Sequence, residues 1–353
     1  MQNIRKSFSI SDQIFFSQRL SLLLDSGISL IDSLNIIRSM DTSKSRRMVF
    51  DILIKDCEHG ISLSKSIIQS KVKFDLLLIT LIKNGEYSGS LISALSQISK
   101  NLEKRNELKK KIISTLIYPI FIFIATICMS LFLILYIFPK ILPLLGTLDI
   151  KLPFLTIVVK TLYEYSIHYG IQFSIIIILL ISLFFFLMNK YIYIKSIIDK
   201  FLLILPFLGI YLKLQILASL CSTGEMLLSS GRSLSEFHLF SSESSSNIIY
   251  KRAFKNIYLE SIKGVSFSNS MKSYNNLFLQ TMIDMCSIGE RTGNLALMLG
   301  HCSTIFDQDI DIFFKRFSSL IEPILMIFMG LIVGSIALSI ILPVYEITNH
   351  LTR

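Results

Sequence analysis

Two glutamates, Glu86 and Glu290, are the residues whose type and setting best suit chemistry, because each lies in a Gly-Glu-x-x-Gly sequence. A carboxylate held in a turn between helices can accept hydrogen bonds from a helix N-terminus or face a partner protein. It can also serve as a catalytic acid or base, but no second base, nucleophile or metal-ligand cluster recurs beside either glutamate. The pattern therefore favours a structural role, with a partner-facing role as the alternative.

Cysteine and histidine, the other reactive side chains, form no ligand pattern. The five cysteines are an odd number without a CxxC pair, and the five histidines are scattered along the chain. The sequence also has no Walker-type phosphate loop, no HExxH and no GxSxG. We therefore expect no enzyme activity and no catalytic, cofactor-binding or metal site.

The glutamate turns are part of a tandem repeat with an offset of 204 residues, which places LLDSGISL (23–30) on LLSSGRSL (227–234). The same offset places GISLSKS at 60 on GVSFSNS at 264, and GEYSG at 85 on GERTG at 289. The repeated motif positions are Ser26, Gly27, Gly60, Gly85, Glu86 and Gly89 in the first copy and Ser230, Gly231, Gly264, Gly289, Glu290 and Gly293 in the second.

Helical spacing dominates both copies. Leu30, Leu34 and Ile37 recur on one helix face, and Ser29 and Ser233 stand where N-caps with an acidic residue three positions later would start helices. Gly27 and Gly231 just before them suit left-handed helix ends. The predicted fold class is therefore all-α, with two homologous helical bundles.

Three long uncharged segments, 112–139, 169–189 and 323–345, predict transmembrane helices in a chain with 52% apolar residues. Each is at least about as long as the 20 residues that cross a hydrocarbon core. Pro119 and Pro323 fall near the start of their spans, where we expect a missing N–H to do least harm. Gly330 and Gly334 form a GxxxG on the third span, which permits close packing of two helices.

Flanking cations predict the orientation, since six of them lie between residues 97 and 111. This places bundles 1–111 and 190–322 in the cytoplasm, and the loop 140–168 and the tail 346–353 outside. The N-terminus is then cytoplasmic, and it has no apolar segment of the kind found in cleaved signal peptides. The net charge of +10 would also suit nucleic acid, but interspersed acidic residues favour a solvated surface near the membrane and no direct nucleic-acid binding.

These motifs resemble the type II secretion F family, the platform proteins of type II secretion systems, type IV pili and competence pili. Nearly the whole chain takes part in the resemblance, which rests on SGISL/SGRSL, GISLSKS/GVSFSNS, GEYSG/GERTG, the segment LPFLT at 152–156 and the third span. The membrane-helix positions in the resemblance are Pro119, Pro139, Glu322, Pro323, Gly330, Gly334 and Pro343. Many members carry an extra segment before the first bundle, and its absence here leaves competence or pilus variants open.

The resemblance implies a multi-pass protein of the inner (cytoplasmic) membrane that binds no small substrate. Its implied partners are a cytoplasmic hexameric assembly ATPase, pilin or pseudopilin subunits, other inner-membrane assembly proteins, membrane lipid and further copies of itself. The alternative is a small-solute transporter or channel component. A transporter usually has Asp, Glu, Lys or Arg inside its spans, and these three segments have none of them.

Overall fold

The computed structural model describes residues 8–70, 72–140, 154–190 and 192–351, and in these ranges it has helices and turns but no β-strand. The chain forms two compact units. We call them the bundle unit, Met1–Lys110 with Ser196–Asp311, and the span unit, Lys111–Lys195 with Ile312–Arg353. The prediction of an all-α fold is confirmed.

The first half of the bundle unit surrounds a core of fully buried apolar side chains that includes Phe16, Leu20 and Leu34. Burial of each such side chain contributes about 1.5–3 kcal/mol, which is why the apolar stripe of each helix turns inward. The helices are α1 (Ile10–Asp25), α2 (Leu30–Met40), α3 (Lys44–Glu58), α4 (Leu63–Gln69), α5 (Leu76–Ser88) and the start of α6 (Leu91–Phe132).

The second half of the bundle unit follows α7 (Phe154–Lys190) in the chain and repeats the same arrangement. Its helices are α8 (Ile192–Ile204), α9 (Leu208–Ser229), α10 (Leu234–Ser244), α11 (Ile248–Ile262), α12 (Phe267–Lys272), α13 (Gln280–Thr292) and the start of α14 (Leu295–Leu351). Helices α10, α11 and α13 begin and end 204 residues after α2, α3 and α5, so the offset of the sequence motifs is also the offset of the helices.

Local chemistry sets the helix ends. Ser29 and Ser233 are the N-caps of α2 and α10, and their hydroxyls accept hydrogen bonds from the N–H groups of Asp32 and Glu236, as predicted. Gly27 ends α1 with φ +82°, and the next N–H, of Ile28, donates to the carbonyl of Leu23 at 3.1 Å. This is a Schellman ending, which requires a left-handed residue and so favours glycine.

Polar contacts join the two halves of the bundle unit. The Asn101 side-chain amide donates to the hydroxyl of Ser222 at 2.8 Å in a buried setting. Lys104 forms an ion pair with Asp307, and so joins α6 to α14 directly. Arg232 donates to the side chain of Asn84. The buried bond between Asn101 and Ser222 in particular fixes one arrangement of the two halves, since a slip would leave both groups without partners.

Two helices of the described chain, Leu91–Lys140 and Leu295–Ser339, have the length and composition needed to cross a membrane. A bent pair, Ile194–Ile204 with Leu208–Ser229, would raise the number to three if it were one span. The pair bends by 105°, and its second helix buries Leu217 and Cys221 in the bundle core. We therefore assign it to the bundle unit.

The predicted second span, 169–189, lies within α7, and many of its side chains fall outside the described residues. That span, the sidedness of the loops and the boundaries of the three spans stay predictions. Of the outer loop, residues 141–153 also lie outside the described ranges.

The expectation for Pro119 and Pro323 is wrong in one respect, because both lie deep inside helices rather than near a helix start. Helix α6 begins at Leu91 and α14 begins at Leu295, so each continues through the charged stretch that precedes the apolar one. Charge marks where a helix enters the bilayer, but it does not end a helix. Membrane helices tolerate an interior proline through neighbouring side chains and small local adjustments.

Packing in the span unit centres on Phe138, which is fully buried. It packs in one cluster with the buried residues Ile134, Val159 and Ile336. The Thr156 hydroxyl donates to the carbonyl of Ser339 at 2.9 Å. A short π-helical segment, Leu133–Ile137, directly precedes Phe138 and Pro139. A π-helical turn shifts the helical register by one residue, which is how such a segment re-aims the side chains that follow it.

Candidate functional site

The repeated Gly-Glu-x-x-Gly motifs form the candidate site, and in both copies the glutamate binds the start of another helix. The predicted position in a turn between helices is wrong for the glutamates, because Glu86 and Glu290 lie in the last turns of α5 and α13, and only Gly89 and Gly293 follow the helix ends. The Glu86 carboxylate accepts the backbone N–H groups of Leu63 at 2.5 Å and Ser64 at 3.2 Å, and the Ser64 hydroxyl at 2.5 Å. These donors form the first turn of α4, whose N-cap Ser62 makes no side-chain cap bond of its own. A remote carboxylate therefore caps this helix.

Glu290 does the same for α12. It accepts the N–H groups of Phe267 at 2.5 Å and Ser268 at 3.2 Å, and the Ser268 hydroxyl at 2.5 Å. The N-cap Ser266 again makes no side-chain cap bond. A negative charge at a helix N-terminus is also favoured by the helix dipole. Both carboxylates thus have hydrogen-bond partners inside the chain, which favours the structural role over the partner-facing one.

The first glycine of each motif permits a close helix approach. A Cβ atom on Gly85 would lie 2.9 Å from the Cα atom of Leu91, and one on Gly289 would lie 2.8 Å from the Cα atom of Leu295. Side chains cannot reach that distance from a neighbouring backbone, so any larger residue would push α5 from α6, or α13 from α14.

The second glycine of each motif ends a helix. Gly89 and Gly293 have φ angles of +72° and +70°, in the left-handed region, and a Cβ atom at either would meet nothing within 4 Å. The three residues of the motif therefore have three separate physical tasks: close approach, capping and chain reversal.

Substitution of Gly89 separates backbone strain from crowding. Because space is free and only φ is unusual, we expect Gly89→Asn to be mild and Gly89→Val to cost about 1–2 kcal/mol, since asparagine tolerates the left-handed region and β-branched residues do not. Thermal unfolding of the full-length protein in detergent and its level in cells measure the effect. Equal stability of the wild type and both variants would show that the turn does not need a left-handed residue.

The remaining predicted turn residues also lie at helix ends. Gly60, Gly231 and Gly264 have φ angles of +78°, +82° and +84°. The hydroxyls of Ser26 and Ser230, at the C-caps of α1 and α9, donate to the carbonyls of Leu22 and Leu227. Ser230 and Gly231 share the turn that ends α9, whereas Ser26, Gly60 and Gly264 lie in three other turns.

The motif positions of the third predicted span include two glycines with free space beside them. A Cβ atom on Gly330 or Gly334 would meet nothing within 4 Å, so each glycine leaves room beside the helix backbone. Glu322 and Pro323 are exposed on α14. Pro139 follows the buried Phe138, and Pro343 lies within α14.

His238, for which the residue pattern predicts a structural role rather than a ligand role, lies in the core. It is fully buried, neither ring nitrogen has a hydrogen-bond partner among the described residues, and its ring centroid lies 4.6 Å from that of Phe267. Burial lowers the pKa of His238 to about 4. The tandem repeat could have predicted the burial of His238, because the equivalent position 204 residues earlier holds Leu34, a core residue.

Three cysteines, Cys221, Cys286 and Cys302, are buried in the second half of the bundle unit. Burial raises the pKa of the Cys221 and Cys286 thiols, so these two stay protonated and behave as small apolar groups. Within the described ranges, no group of three histidine, cysteine or acidic side chains is arranged to hold a metal ion.

The fold and these turns define a class: an α-helical membrane protein in which a capped bundle occurs twice and each copy continues into an apolar helix. A family model described as "Type II secretion system (T2SS), protein F" matches residues 16–139 and 225–343. The chain belongs to this family.

Curated relatives are similar over nearly the full chain. A type IV pilus assembly protein TapC from Aeromonas hydrophila is 27% identical, with 95% of this chain and 81% of the relative covered. A type IV pilus assembly protein PilC from Thermus thermophilus is 26% identical, covering 97% and 84%. A type II secretion system protein F from Pseudomonas aeruginosa is 25% identical, covering 98% and 84%.

Proposed function

We propose that this chain is the non-enzymatic inner-membrane platform of a type IV filament machine: a type II secretion pseudopilus, a type IV pilus or a competence pilus. In this role the bundle unit lies in the cytoplasm with the N-terminus, engages a hexameric assembly ATPase and passes its motion to pilin subunits in the membrane. The names of the relatives, which are pilus assembly and type II secretion proteins, support the proposal.

The observation that carries the coupling role is the continuity of α6 and α14. Each begins in the bundle unit and runs without a break into an apolar, exposed stretch. A rigid helix is a physical link through which a displacement at one end reaches the other. Since Lys104 and Asp307 join the two helices inside the bundle unit, we propose that they move together.

The same arrangement supports the proposed partners. The apolar faces of α6 and α14 have few buried residues within the chain, which suits contact with lipid, with pilin helices and with other inner-membrane assembly proteins. The unoccupied Gly330 and Gly334 positions suit close packing by another helix, from a pilin or from a second copy of this chain.

Deletion of the gene in its host tests the function. We expect loss of surface filaments, of a secreted protein set or of DNA uptake, restored by the intact gene and not by a copy with an early stop codon. The function that is lost identifies the machine served. If all three survive while a solute accumulates or is lost, the platform proposal fails and the transporter alternative replaces it.

A further inference from the structure

The bend between α8 and α9 exposes apolar side chains over residues 197–210, a segment we call the elbow. Ile197, Phe201 and Ile204 are spaced to share one face of α8 and are 53%, 61% and 69% exposed. Phe207 and Leu208, at the bend itself, are each more than half exposed. The bundle unit therefore presents several exposed apolar side chains close together at this bend.

The backbone at the tip of the elbow is strained. Phe207 has φ +67° and ψ −63°, and the N–H of Leu208 donates to the carbonyl of Pro206 at 2.9 Å, which together form a γ-turn of the rare positive-φ form. Phe207 is the one residue other than glycine with positive φ in the described chain. Backbone strain of this kind persists only where favourable contacts of the surrounding groups compensate for it. Water around an exposed phenyl ring supplies no such contacts.

The opposite face of α8 is fixed to the bundle. The Asp199 carboxylate accepts the N–H of Ile248 at the start of α11 at 2.8 Å, and Leu203 is buried. At 100° per residue these two positions lie opposite Ile197, Phe201 and Ile204. The contacts of Asp199 and Leu203 with the bundle therefore keep the face with Ile197, Phe201 and Ile204 turned away from it.

We propose that the elbow inserts into the headgroup–acyl boundary of the membrane that the chain itself spans. Helix α8 begins at Ile192, two residues after α7 ends at Lys190, so the elbow is tethered to the end of the predicted second span. Lys200 is exposed beside the apolar face of α8, which suits the anionic headgroups of a cytoplasmic leaflet. The proposal rests on the second span and goes beyond the platform role.

Tryptophan fluorescence tests the insertion directly, because the chain contains no tryptophan. Phe207→Trp places a single probe at the tip of the elbow in the full-length protein. The variant is reconstituted into vesicles of phosphatidylcholine and phosphatidylglycerol, and quenching by lipids brominated on the upper acyl chain is compared with quenching by aqueous acrylamide. Tyr87→Trp, at an exposed aromatic position of the first bundle, is the matched control.

We expect brominated lipid to quench the probe at 207 several-fold more than the probe at 87, with the reverse order for acrylamide. Phe201→Trp, on ordinary helical backbone, repeats the test without the strained position and is expected to agree. Strong acrylamide quenching of both elbow probes without lipid quenching would overturn the proposal. Protection from both quenchers would also overturn it, because a protein surface would then cover the elbow. No ATPase or pilin is needed, so the result is independent of the platform role.

Discussion

Replacing Glu86 by alanine is expected to destabilise the protein by about 3 kcal/mol, because the first turn of α4 loses its acceptor. Leu63 and Ser64 are buried, so water cannot take the place of the carboxylate at their N–H groups. Each buried donor without a partner costs about 1–3 kcal/mol. The expected observations are a lower midpoint of thermal unfolding for the full-length protein in detergent and a lower level in cells.

Three companion variants sharpen this test. Glu290→Ala should behave alike, since its bonds to α12 repeat those of Glu86. Glu86→Gln keeps an acceptor but loses the charge, so an intermediate effect is expected. Glu58→Ala, at an exposed position at the end of α3, should change stability by no more than about 0.5 kcal/mol. If Glu86→Ala were as stable as the wild type but failed to support filament assembly, the carboxylate would be partner-facing instead.

Local chemistry was predictable from the sequence because it acts over a few residues. Ser29 and Gly27 lie next to the helix ends that they specify, and their types alone predicted an N-cap and a left-handed turn. The repeat made these predictions stronger, since Ser233 and Gly231 stand in the same relation one offset later.

Other features of the fold depend on contacts between residues that are distant in the sequence, and the sequence pattern does not predict those contacts. The bonds from Glu86 reach back to Leu63, more than twenty residues earlier, and only the folded bundle brings the two together. The charged residues before Pro119 predict the start of a span, but they do not predict the start of a helix, because α6 runs through them without interruption. The elbow could not be predicted from the sequence, because the positive φ angle of Phe207 is a property of the folded backbone that no residue type there indicates.

His238→Leu is expected to stabilise the protein even at neutral pH. Both ring nitrogens of His238 are buried without a partner among the described residues, and an unsatisfied buried polar group costs about 1–3 kcal/mol. Leu34 occupies the equivalent core position of the first bundle and is fully buried, so the bundle accommodates leucine there. Thermal unfolding of both full-length proteins at pH 7.5 measures the gain, and a loss of stability would show that the imidazole is bonded or required for packing.

The pH dependence makes the His238 test specific. The unfolded chain binds a proton on His238 below its ordinary pKa of 6.5, whereas the folded chain does so only near pH 4. Between these values the unfolded state holds more protons, so the wild type loses stability as pH falls, by about 1.4 kcal/mol for each pH unit. His238→Leu lacks this loss. The stability difference between the two proteins should therefore be constant above pH 7 and widen by about 2 kcal/mol by pH 5. Because carboxylates titrate alike in both proteins, a difference that stays constant to pH 5 would mean that the pKa of His238 is not lowered by folding.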